Sequence, residues 1–136
     1  MISRYELKHQ LPSCDVDVDL IKALESYVKQ KAILGKEGEI ATIDKFKVVI
    51  DDRTGTEELS SIDDSPSRRL PNATSRVTLR FEQLTPNAHI ELTISLDPDK
   101  RYSVFRIACK AEGAREKTDG LAKGLDEIVR RNHNMH

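Results

Sequence analysis

"RVTLRFEQLTPNAHIELTISLDPDKRYSVFRIACKA", residues 76–111, decides the fold. Apolar and polar residues alternate through three runs. Val77, Leu79 and Phe81 fall on one side, followed by Ile90, Leu92, Ile94 and Leu96, then Phe105, Ile107, Cys109 and Ala111. Successive side chains of a strand point to opposite faces, so each run describes a strand with one apolar face. The runs are joined by "TPNA" (85–88) and "DPDK" (97–100), which are short and rich in turn formers. Alternating strands with tight turns predict an antiparallel meander, buried on one face and solvated on the other.

The same reading extends outward. "KFKVVID" (45–51) sets Phe46, Val48 and Ile50 against Lys45, Lys47 and Val49, a fourth strand. "RYELKHQL" (4–11) alternates more weakly and stops at Pro12, a fifth candidate. Between these two runs, residues 13–35 change to helical spacing. Ser13 or Asp15 can cap the helix, and Asp15, Asp17 and Asp19 suit its positive end. Leu20, Leu24, Tyr27, Val28, Lys31 and Ala32 form the inward stripe, and Gly35 is a natural stop.

At the other end, residues 113–132 place Ala114, Thr118, Leu121, Leu125 and Ile128 on one helix face, with Arg130 and Arg131 at the negative terminus. Gly120 and Gly124 each cost this helix about 1 kcal/mol relative to Ala. Their spacing implies a close approach by a neighbouring backbone. The expectation is one α+β domain spanning 1–136, two layers in the order (β)-α-β-β-β-β-α, with both helices on one face of an antiparallel sheet. The order is like half of the TATA-binding-protein fold or a shortened helix-grip domain, an analogy of architecture that carries no function. A polar loop at about 52–73 and a frayed tail at 132–136 complete the reading.

Composition narrows the function classes. Of 136 residues, 33% are charged and 38% hydrophobic, and the net charge of −1 gives no long-range pull toward nucleic acid or anionic membrane. An electrostatic partner site therefore has to be a local patch. No run approaches the roughly 18 apolar residues of a membrane span, and the polar opening "MISRYELKHQ" is unlike a secretory signal. Cys14 and Cys109 lack metal or redox spacing and read as free thiols in a reducing, cytoplasmic setting. No membrane contact and no cofactor are expected.

One motif points to catalysis. "DRTGT", Asp52 to Thr56, resembles the D-K-T-G-T signature of P-type ion pumps and their phosphatase relatives. The resemblance implies phosphoryl transfer, with Asp52 as the attacking carboxylate. That family sets its aspartate at the end of a central parallel strand, buried on both sides and continuously apolar. "KFKVVID" alternates lysine with hydrophobe instead, and a β-meander follows it where βα units would be required. For the family's later motifs the chain offers only Asp63 and Asp64 in the same loop, and Lys110, Lys117 and Lys123 by residue type.

The remaining polar groups read as ordinary surface. Asp51/Asp52 and Asp63/Asp64 lack the ligand periodicity of a calcium loop. His133 and His136 form H-x-x-H on the tail without a third ligand, so no metal is expected there. His89 falls at a strand start on the solvated face.

By strand parity the solvated face collects Lys45, Lys47, Arg76, Arg80, Arg106 and Lys110 against Asp51, Glu82 and Glu91, with Tyr102 and Val104 beside them. Lys47, Arg76, Arg80 and Arg106 are the candidate contacts for a protein partner or an anion. Arg68 and Arg69 are candidate loop contacts in "SPSRRLPNA". Single-strand readers present stacking aromatics, and this face offers Tyr102 alone. The function expected is a non-enzymatic protein-interaction or regulatory module, with self-association through a sheet edge or the open face as one mode. Nucleic-acid or polyanion binding on the basic face is the alternative, and phosphoryl transfer through Asp52 a remote one.

Overall fold

The three alternating runs become three long strands. The computed structural model describes residues 1–12, 15–32, 41–65, 74–98 and 103–131. In chain order the elements are β1 (Ile2–Leu11), α1 (Val18–Lys31), β2 (Ile43–Asp52), β3 (Thr56–Leu59), a 3-10 turn (Ile62–Asp64), β4 (Thr74–Thr85), β5 (Ala88–Leu96), β6 (Ser103–Glu112) and α2 (Ala114–Arg131). The strands form a single antiparallel sheet in the order β1-β6-β5-β4-β2-β3. Both helices lie on one face of it, as the α+β reading requires.

Every apolar residue that parity assigns inward in β4, β5 and β6 is buried, and Leu96, Phe105 and Ile107 have no exposure at all. Each buried Val, Leu, Ile or Phe among them contributes about 1.5–3 kcal/mol by leaving water. The run at 4–11 is a full strand, pairing with β6 from Ile2↔Glu112 to Leu11↔Ser103. Its weak alternation has a physical cause. As an edge strand β1 buries only Leu11 fully, while Tyr5 and Leu7 are half-covered.

The helices differ from expectation in detail. The cap of α1 is Asp17, whose carboxylate accepts from Leu20 N at 2.8 Å. Asp15 lies two residues too early for this role, and Ser13 lies outside the described residues. Leu20, Ile21, Leu24 and Val28 are fully buried while Lys31 is exposed, because the stripe turns toward Ile21. In α2 the last inward position is Val129, with Ile128 half-buried beside it. Gly113 joins β6 to α2 at φ 66°, a left-handed conformation that suits glycine.

The spacing of Gly120 and Gly124 serves a side chain rather than a backbone. A Cβ at Gly124 would overlap the Tyr27 hydroxyl and ring, whereas one at Gly120 would meet nothing within 4 Å. The Tyr27 hydroxyl donates to the carbonyls of Gly120 and Leu121, both at 3.4 Å. Burial, then the nearby Glu127, pushes its phenol above the ordinary range.

The segment after Asp51 is more ordered than its composition suggests. Asp52 holds a tight turn, its Oδ1 accepting from Thr54 N, Thr54 Oγ1 and Gly55 N, each at 2.8 Å. The Thr54 hydroxyl, then the Thr54 and Gly55 amides, hold this carboxyl below the usual range. The turn folds β3 back onto β2 from Asp51↔Thr56 to Val48↔Leu59. Beyond it, buried Glu25 of α1 accepts from Ser61 Oγ (2.6 Å) and Ile62 N (2.8 Å), and from Lys29 Nζ (2.9 Å). That clasp fixes the 3-10 turn and drives Ile62 into the core. Only the first part of the 52–73 stretch can be compared, since 66–73 and the tail 132–136 lie outside the described residues.

Candidate functional site

The sheet face opposite the helices collects most of the charge, and register arranges it in rows. Lys47 of β2 pairs with Arg80 of β4, Arg80 with Thr93 of β5, Thr93 with Arg106 of β6, and Arg106 with Lys8 of β1. Four cations thus cross five strands with Thr93 at the centre. At a strand spacing near 4.8 Å the row is about 19 Å long. Two of its pairs, Lys47↔Arg80 and Arg106↔Lys8, oppose like charges directly, an arrangement that costs stability. Lys47 has Glu58 at 3.6 Å, but among the described residues Lys8, Arg80 and Arg106 form no ion pair.

The next row has the opposite character. Lys45 pairs with Glu82, Glu82 with Glu91, Glu91 with Ala108, and Ala108 with Glu6. Glu6 binds Arg4 at 2.6 Å. His89 stands two residues from Glu91 on the same face, its Nε2 2.8 Å from Glu82 Oε2 and 3.4 Å from Glu91 Oε1. A concavity of about 650 Å³ spans both rows, lined among others by Lys47, Arg80, Glu82, Glu91 and Thr93. A second, of about 310 Å³, lies beside it over Arg4, Glu6, His89, Glu91 and Arg106.

The four residues singled out from sequence therefore separate. Lys47, Arg80 and Arg106 share one row, while Arg76 stands at the far end of β4 opposite Asp51. Lys8 joins the row through the pairing of β1 with β6. Arg68, Arg69 and Tyr102 lie outside the described residues. Asp52 sits at the β2–β3 turn and has no place in either row. His9 is on the covered side, with its ring 5.3 Å from that of Phe105 and its Nε2 3.6 Å from Asp126. Cys109 is a free, buried thiol raised by desolvation, with Lys117 and Thr118 pulling the other way.

Chemically, the face offers charge in a fixed pattern with little apolar or aromatic surface. Among the described residues the outer side of β1 is an unpaired edge along ten residues, and no helix is long and apolar enough to cross a membrane. No protein-family profile matches the chain, and comparison with curated proteins finds no match.

Proposed function

We propose that this protein is a non-enzymatic interaction module that takes an acidic segment of a partner protein across the open face of its sheet. The row Lys8–Arg106–Thr93–Arg80–Lys47 carries the reading, because it accumulates positive charge at a cost to the fold. Among the described residues the face presents no Phe, Tyr or Trp, which favours an acidic protein segment over single-stranded nucleic acid, whose bases need stacking platforms.

Polyglutamate, followed by fluorescence anisotropy at low and at physiological salt, tests the idea. Binding that weakens with salt and falls about tenfold in an Arg80→Glu/Arg106→Glu double variant supports it. Unchanged binding in that variant, or no binding at low salt, overturns it.

A second reading follows from the same row, whose three cations without an ion pair among the described residues also suit nucleic acid or another polyanion. Single-stranded DNA run beside polyglutamate separates the two, since the preferred probe names the class. The unpaired β1 edge supports self-association as a further mode of protein contact, by adding a strand to the sheet. Sedimentation equilibrium tests it, and a strictly monomeric protein to high concentration removes it.

A further inference from the structure

Glu82, His89 and Glu91 form a constellation whose members come from two neighbouring strands. On β5, His89 and Glu91 are two apart and so project from the same face. On β4, Glu82 is the direct cross-strand partner of Glu91. One ligand atom from each lies within 4.8 Å of the others. Zinc bonds to imidazole nitrogen and carboxylate oxygen run near 2.0–2.2 Å, so ligand atoms around one ion stand roughly 3.2–3.6 Å apart. The 3.4 Å from His89 Nε2 to Glu91 Oε1 matches that figure, while the 2.8 Å to Glu82 Oε2 is a direct hydrogen bond that an ion replaces by a small side-chain adjustment.

Charge points the same way. Glu82 and Glu91 are like charges placed directly opposite, and such a pair is unfavourable unless a cation stands between them. Lys45 opposes Glu82 and Lys110 opposes His89 across the strands, yet neither forms an ion pair with the three. Among the described residues, His89 is the group that bridges both carboxylates.

We infer that Glu82, His89 and Glu91 bind a divalent transition-metal ion of the zinc class, through His89 Nε2 and one oxygen of each carboxylate. One nitrogen with two oxygens suits zinc better than calcium or magnesium, which take six or more oxygens or keep most of their water. The fourth position of the ion opens to solvent. Glu82 and Glu91 line the larger concavity, while His89 and Glu91 line the smaller one. An ion held here sits on the ridge between the two and next to the cationic row.

Calorimetric titration of the full chain with Zn²⁺ alone tests the site, and a chelator reverses it. One ion per chain is expected, with affinity falling at least about tenfold in His89→Ala and in Glu82→Gln. A His133→Ala/His136→Ala variant retains the site, which separates it from the histidines of the tail. All three ligands are on the solvated face, so the His89 and Glu82 variants remain folded without metal, as a cooperative thermal transition shows. In the unaltered protein, the imidazole NMR signals of His89 shift with Zn²⁺ while those of His9 do not. Absence of zinc binding overturns the assignment, as does binding that survives His89→Ala or is lost only with the tail histidines. The titration uses no partner, so its outcome is independent of the polyglutamate measurement.

Discussion

The two faces of this one sheet are built from alternate residues of the same strands, and they obey different rules. On the covered face, Phe105, Ile107, Ile94 and Leu92 meet in register with no charge among them. On the open face, one residue along, Arg106 meets Lys8 and Glu91 meets Glu82. The covered face minimises free energy by removing apolar area from water and by close packing. The open face leaves directly opposed like charges in place. A face under no constraint except stability would alternate its signs across strands, and the segregation into rows is what motivates the proposed partner contact.

The largest test of this contrast is Phe105→Ala. The ring is fully buried at the centre of the covered face, beside Ile94 on one side and His9 on the other. Its loss is expected to cost about 3–5 kcal/mol, the transfer term plus a cavity the neighbours cannot close. The midpoint of denaturant unfolding measures it. A cost below about 1 kcal/mol would mean that the core re-packs freely and that the faces differ less than their composition suggests.

How much of this could be read in advance depends on the range of the interaction. Parity along one strand is local, so the apolar inward residues of β4, β5 and β6 were legible, as were Lys47, Arg80 and Arg106 on the outer side, while buried Gln83, Thr85 and Ser103 carry no apolar signal. Which residues face each other is a property of pairs of strands. Placing Lys8 in the cationic row required knowing that β1 pairs with β6, and no local pattern states that. The Glu82–His89–Glu91 cluster had a usable signal. Thr85 pairs with Ala88 across the two-residue turn Pro86–Asn87, and counting back from that turn places Glu82 opposite Glu91.

The "DRTGT" motif shows the reverse case, in which a familiar string has a local structural cause. Aspartate followed by threonine and glycine makes a turn closed by its own carboxylate, as Asp52 does here. β3 escaped notice because a four-residue edge strand with Glu57 and Glu58 exposed and only Leu59 half-buried has almost no alternation to detect. The clasp of Glu25 on Ser61 and Ile62 spans 36 and 37 residues, beyond any spacing rule.

Of intermediate size is Gly124→Ala, which probes the helical layer over the covered face. Helix propensity alone favours alanine by about 1 kcal/mol. The added methyl would overlap the Tyr27 ring, and overpacking costs about 1–3 kcal/mol. Net destabilisation is therefore expected in the unaltered background and net stabilisation where Tyr27 is already alanine. Thermal unfolding of the four proteins in this double-mutant cycle reads the reversal of sign. The same sign in both backgrounds would show that Tyr27 moves aside readily and that the glycine is not there for the ring.

The smallest effect is the most telling for the open face. Arg80 is exposed, lies opposite Lys47 and Thr93, and forms no ion pair among the described residues. Arg80→Thr removes one like-charge opposition and introduces a residue suited to strands, so it is expected to stabilise by about 0.2–1 kcal/mol. The gain should shrink as salt screens the pair, which distinguishes relieved repulsion from improved strand propensity. Polyglutamate binding should weaken in the same variant. Stability and binding moving in opposite directions at one residue is the signature of charge kept for a partner. If Arg80→Thr instead destabilises the protein at every salt concentration, the arginine is supporting the sheet through its aliphatic stem, and the cationic row is a structural surface like the face behind it.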